Sequence, residues 1–155
     1  TACYQRIWRW HFFAGLFVLV GALVETGVIK VLAAEAIKLT NGSVNATAML
    51  ILWMSAFASA FIDNIPFVAT LIPLIQDMGQ MGLSNLDPMW WSLALGACLG
   101  GNGTLIGASA NVVVASMAAQ RGKQISFLGF MKIAFPVMIM TIAVSSVYVW
   151  LRYLL

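Results

Sequence analysis

The chain has 155 residues, of which 62% are hydrophobic and 8% are charged. Ordinary soluble domains run at roughly 45–50% apolar and about 25% charged, so a soluble globular domain is excluded and lipid is the expected solvent. The net charge of +3 is too small to point to a nucleic-acid partner and is read by location, as a topology signal.

The chain has no initiator Met and no signal-peptide pattern of basic start, short apolar stretch and small-residue cleavage site. It is expected to be part of something longer. Four hydrophobic blocks follow one another. The first, Phe12 to Val24 with Trp8 and Trp10 in front, forms a spanning helix if it runs from about Ile7 to Val28. Ile29 to Leu39 then alternates Lys30, Glu35 and Lys38 with Val31, Leu32, Ala36 and Leu39. That pattern predicts an amphipathic helix lying at the membrane interface, ended by Asn41-Gly42-Ser43.

The second block, Val44 to Gln76, would be about 50 Å long as one helix, against a hydrocarbon core of about 30 Å. It must fold back. Asp63-Asn64-Ile65-Pro66 marks the place, because proline disfavours helix in the residue before it and supplies no N–H donor. The spacing predicts a re-entrant hairpin over about 44–77, with its tip near mid-membrane and a second arm, Phe67 to Gln76, too short to span. A loop without Lys or Arg, Asp77 to Asp87, leads into the third block, Pro88 to Ala119. Here "PMWWSLALGACL" and "ASANVVVASMAA" read as half-helices separated by "GGNGTLIG", Gly100 to Gly107. Each of its three clustered glycines lowers helix stability by roughly 1 kcal/mol relative to alanine, which predicts a broken helix over about 88–119. The fourth block, Ile125 to Leu155, is a plain span over about 125–153, with Pro136 as a kink candidate and Tyr148, Trp150 and Tyr153 as an aromatic belt. Arg6, Arg9, Arg121, Lys123 and Lys132 on one side against Lys30, Lys38 and Arg152 on the other favours an inside N-terminus and a hairpin entering from outside.

Irregular backbone at membrane depth is tolerated only when it is buried in protein or lines a polar cavity. The chain has two such places, Asp63 to Pro66 and Gly100 to Gly107, and both carry ligand-capable groups: Asp63, Asn64, Asn102, Thr104, Ser109 and Asn111. Broken helices expose N–H groups at one half's start, which suit anions, and C=O groups at the other half's end, which suit Na⁺. An acid in hydrocarbon costs about 2.5–3.5 kcal/mol on insertion scales and normally faces a cavity. Asp63 is therefore a binding-site candidate, with a helix N-cap as the competing and compatible role.

Other features weigh less. Glu25 and His11 read as interfacial, and Met78, Met81, Met138 and Met140 as core or lipid-facing filler. Cys3 and Cys98 form no metal or redox pattern, and Cys98 reads as a small packing residue. Asn41-Gly-Ser and Asn45-Ala-Thr match a glycosylation pattern that is common by chance, and the depth of Asn102-Gly-Thr makes modification there implausible. No nucleophile–base pair, metal cluster or phosphate loop is present, so neither an enzyme nor a bound cofactor is expected.

"SAFIDNIPFVATLIPLI" and "GACLGGNGTLIGASANVV" resemble the second-half motifs of the ion transporter superfamily. The nearest branch holds the ArsB-type arsenite permeases, the citrate-transporter-like proteins and the melanosomal P protein. The resemblance covers nearly everything from Phe12 to Leu155, whereas "TACYQRIWRWH" (residues 1–11) does not look like the family's lead-in. It implies an all-α membrane protein built from two inverted-topology repeats, each with a re-entrant hairpin and a broken helix around one midplane site, of which this chain holds the C-terminal repeat. By resemblance, Asp63, Asn64 and Pro66 sit at the hairpin tip and Gly101, Asn102, Gly103, Thr104, Ser109 and Asn111 at the break. It further implies a multi-pass protein of the plasma (inner) membrane. The implied solute is an anion of arsenite or carboxylate type, coupled to Na⁺ or H⁺. The implied partners are the lipid bilayer and a second repeat or second copy. A Na⁺/H⁺ antiporter, or a channel-like or structural piece without transport of its own, are the alternatives.

Overall fold

The computed structural model describes residues 14–15, 18–19, 21–22, 25–83 and 85–154, and among them every regular element is helical. Positions 14, 15, 18, 19, 21, 22 and 25 are helical. The rest of the expected first span, and residues 1–11, lie outside the described residues.

Helix α1, Val28–Leu39, begins after Gly27 at φ 74° and is amphipathic as expected. Its buried residues, Ile29 and Ala33, pack on Leu74, Ile75 and Met78, while Lys38 and Glu35 pair at 2.7 Å on the exposed side. Asn41 (φ 52°) and Gly42 (φ 68°) turn the chain into α2. The Thr40 and Thr47 hydroxyls meet at 2.8 Å across that turn.

Helix α2, Val44–Ser59, starts at the Ser43 N-cap, whose hydroxyl accepts from the Ala46 N–H at 3.3 Å. Helix α3, Asn64–Gln80, is longer than the arm expected from the sequence. Pro66 falls in its first turn, where no helical N–H is needed, so the helix starts two residues before proline rather than after it. The end of α3 packs beside the start of the next helix, because Leu74, Ile75 and Met78 share one apolar cluster with Ile51, Met89 and Leu93. The chain therefore reverses at 60–63, and α3 runs back alongside the entry of α2.

Helix α4, Asp87–Gly100, and helix α5, Ser109–Gln120, are separated by turns and bends over 101–108. Helix α6, Phe127–Val149, passes through Pro136 without stopping and ends in a π-helical turn, Trp150–Leu154. Among the described residues, Phe127–Tyr153 is the one helix long and apolar enough to cross a membrane.

The most extensive helix pair is α2 with α4, and small residues permit it. A Cβ on Gly96 would run into Ser55 Oγ and the Leu52 carbonyl, and one on Gly100 would stand 2.6 Å from Ala56 Cα. Such close approach is the usual way helices associate in lipid, where no hydrophobic drive brings them together. Leu52 faces Gly96, Ala56 faces Gly100 and Ala60 faces Thr104. Both numbers rise together, so α2 and α4 run parallel. Helix α6 runs against them: its Tyr153 ring stacks on Trp91, near the start of α4, at 6.0 Å, while Met138 packs with Leu52, Ala56 and Ala60. Trp91 thereby joins the belt of Tyr148 and Tyr153, whose rings meet edge-on at 6.2 Å.

Cys98 corrects its sequence reading. It is exposed, because the buried face of α4 is Ser92, Leu93, Gly96, Ala97 and Gly100, and a residue at 98 lies on another face of that helix.

Candidate functional site: the junction of two breaks

The end of α2 and the segment 101–108 touch directly. The Thr104 hydroxyl, fully buried, donates to the Ala60 carbonyl and accepts from the Gly107 N–H at 3.1 Å. Ala60 is the first residue past α2, so its carbonyl is one of those a helix end leaves unsatisfied. Asn111, in the first turn of α5, donates through Nδ2 to the carbonyls of Gly101 and Thr104, both at 3.0 Å. One side-chain amide thus satisfies two orphaned carbonyls and holds the break in shape.

Ser59 makes the third link. Its hydroxyl lies against the Ala97 carbonyl at 2.7 Å and against the Asn64 side-chain amide. A serine has one proton to give. It satisfies both contacts when it donates to Ala97 and accepts from the Asn64 NH₂, the two ends of an amide being equivalent in shape. The Asn64 amide also lies over Gly101, within 2.9–3.1 Å of where a Cβ would stand. In that orientation the Asn64 oxygen has no partner among the described residues, nor has the oxygen of Asn111, whose NH₂ is spent on two carbonyls.

Glycines make the closeness possible. A Cβ on Gly107 would stand 2.8 Å from the Ala60 carbonyl oxygen and 2.9 Å from that of Ser59, and one on Gly103 would stand 2.6 Å from Met138 Sδ. That last contact fixes the depth of the junction. Met138 is eleven residues from Phe127 and fifteen from Tyr153, or about 17 and 23 Å along α6. The two breaks therefore sit near the middle of the one long apolar helix.

The sequence candidates divide accordingly. Asn64, Gly101, Gly103, Thr104 and Asn111 come together, with Pro66 half-buried in the first turn of α3. Asp63, Asn102 and Ser109 are exposed. Asp63 occupies the N-cap position of α3, yet its side chain makes no capping hydrogen bond. Sequence reasoning missed Ser59 and the carbonyls of Ala60 and Ala97. The available signal was the small residues at 55, 56, 59 and 60, which repeat at helical spacing opposite Gly96, Ala97 and Gly100. Among the described residues no group of His, Cys, Asp and Glu is arranged to hold a metal ion.

An all-helical chain that turns much of its apolar surface outward belongs to the class of all-helical membrane proteins. The sequence model of the citrate transporter family matches residues 10–96, and the chain belongs to that family. It is 51% identical over 144 residues to an uncharacterized transporter of Mycobacterium tuberculosis, covering 92% of this chain and 34% of that protein. It is 46% identical over 145 residues to the 46 kDa membrane protein of Mycobacterium leprae, covering 92% and 34%. The P protein of Homo sapiens is 43% identical over 145 residues, covering 88% of this chain and 17% of that one. The expected superfamily and its citrate-transporter-like and P protein branch are thus found. The chain spans about a third of the length of the mycobacterial relatives. No solved structure matches it.

Proposed function

We propose that the chain supplies one part of the binding site of a secondary transporter for anionic, arsenite- or carboxylate-like solutes, coupled to Na⁺ or H⁺. In this reading α2 and α3 are a re-entrant hairpin, 101–108 is the unwound middle of one discontinuous membrane helix, and a second repeat or a second copy completes the site. The multi-pass protein would lie in the plasma (inner) membrane.

The observation that carries the reading is the junction itself. Two segments of irregular backbone meet at the mid-depth of α6, and such backbone is tolerated there only when it is buried in protein or lines a polar cavity. A pair of discontinuous helices meeting at the midplane is the usual construction of a transporter site. The coupling cation would sit at the free amide oxygens of Asn64 and Asn111, with Asp63 as the cation-facing group at the rim and Asn102 and Ser109 open to the solute. In a full-length parent, gradient-driven citrate uptake into proteoliposomes should fall at least about tenfold for Asp63→Asn or Asn111→Ala, the loss of one charge-assisted contact or of the support for two carbonyls. Uptake unchanged in both variants would sink the proposal.

One observation favours a second reading, a Na⁺/H⁺ antiporter. With the hydrogen bonds assigned as above, the amide oxygens of Asn64 and Asn111 are left to accept, and two converging carbonyl-type oxygens suit a cation. Proton flux driven by a Na⁺ gradient with no anion added would put that reading first.

A further inference from the structure

Ser59 uses its hydroxyl unlike other serines in these helices. Ser55, Ser145 and Ser146 donate to carbonyls three or four residues back in their own helices, at 2.9–3.0 Å, a common arrangement for a helical serine. Ser59 is fully buried and reaches instead across to α4, to the Ala97 carbonyl at 2.7 Å, and onward to the Asn64 amide.

The Ala97 contact decides the rest. Two oxygens at 2.7 Å hold a proton between them, and since a carbonyl has none to give, the proton is that of Ser59. Ser59 can then only accept from Asn64, and only the NH₂ end of that amide donates. Shape does not choose between the two ends. They are alike in size, and both lie within 2.9–3.1 Å of where a Gly101 Cβ would stand. The far end of the amide is not closed in: among the described residues Ser92 Oγ is the buried side-chain polar atom without a partner, so the unpaired end of Asn64 reaches open space. Asn111 has the same polarity by another route, its NH₂ being held by the Gly101 and Thr104 carbonyls.

We infer that Ser59 is a positioning residue that sets the polarity of the junction: by donating to Ala97 it turns the Asn64 amide oxygen toward a bound Na⁺. The inference rests on the transporter reading for its cation and adds the residue that orients the ligand. Without the hydroxyl, the amide loses the partner that tells its two ends apart and presents NH₂ as readily as oxygen.

The melting temperature of a full-length parent in detergent would be followed against NaCl, with choline chloride holding the ionic strength constant. Na⁺ should raise the wild-type melting temperature in a saturable way. Ser59→Ala should raise the half-saturating Na⁺ concentration by about tenfold or more, the usual effect of losing a group that orients a metal ligand. Ser59→Thr, which keeps the hydroxyl, should stay near the wild type. Ser55→Ala removes a buried hydroxyl from the same helix; it should lower the melting temperature in choline and leave the half-saturating Na⁺ concentration unchanged. An equal Na⁺ response in the wild type and Ser59→Ala overturns the inference, as does a shift in Ser55→Ala as large as that in Ser59→Ala. A wild type that Na⁺ does not stabilise also overturns it and leaves proton-coupled anion transport standing. Absence of citrate uptake by a wild type that Na⁺ does stabilise, with the Ser59→Ala shift present, strikes the solute reading and supports the role of Ser59.

Discussion

Gly100 and Ser92 lie on the same buried face of α4 and make opposite demands on it. Gly100 is pressed against the Ala56 backbone, so neither partner is a flexible side-chain end that can move aside. Gly100→Ala should force α2 and α4 apart and cost about 1–3 kcal/mol, the usual range for overpacking, read as a lower melting temperature in detergent. Ser92 Oγ is buried and has no hydrogen-bond partner among the described residues. Ser92→Ala removes that unsatisfied hydroxyl and should be neutral or stabilising by up to about 1 kcal/mol, read in the same melt. The sequence points to Gly100 as a break and says nothing of its second role as a contact. Serine at 92 and serine at 59 are alike as letters; one lacks a partner and the other joins two helices.

Among elements, α5 stands apart. It has no buried residue and exposes Val112, Val113, Val114 and Met117, whereas α4 is buried along one face. A helix with so few buried contacts opens locally at low cost. Amides of 113–120 should exchange with deuterium faster than those of 91–100 in detergent, and equal protection would mean that α5 is covered by another surface. Helices Asp87–Gly100 and Ser109–Gln120 stand on either side of the glycine cluster, since glycine and proline act on the backbone where they stand. Helix α3 begins at Asn64, two residues before Pro66, because proline in the first turn of a helix is compatible with it, a distinction that depends on where the helix begins.

The whole molecule turns much of its apolar surface outward. Leu128, Ile133, Val144 and Val147 are exposed along α6, and Val31, Met54 and Trp91 on other helices. This is the reverse of a soluble domain, where a contiguous apolar patch rarely exceeds a few hundred Å². Expressed protein should stay with the membrane fraction through an alkaline carbonate wash and leave it only in detergent. Release into the supernatant by carbonate would contradict the membrane placement.

Composition, length and the local action of Pro66 and the Gly100–Gly103 cluster determined that the chain is a helical membrane protein with two interruptions, and its motifs determined the family. These are properties of short windows: an apolar run has a length to compare with the bilayer, and a proline or glycine changes its own backbone wherever the chain goes. Only the tertiary structure decided what the interruptions do to each other. Ser59 finds Ala97, Thr104 finds the Ala60 carbonyl, and Met138 finds Gly103, partners 35 to 44 residues apart. A polar side chain in the sequence is only a capacity to donate or accept. Whether that capacity is spent on a backbone carbonyl, as at Asn111, or left exposed, as at Asp63, depends on which distant group packing brings within hydrogen-bond reach.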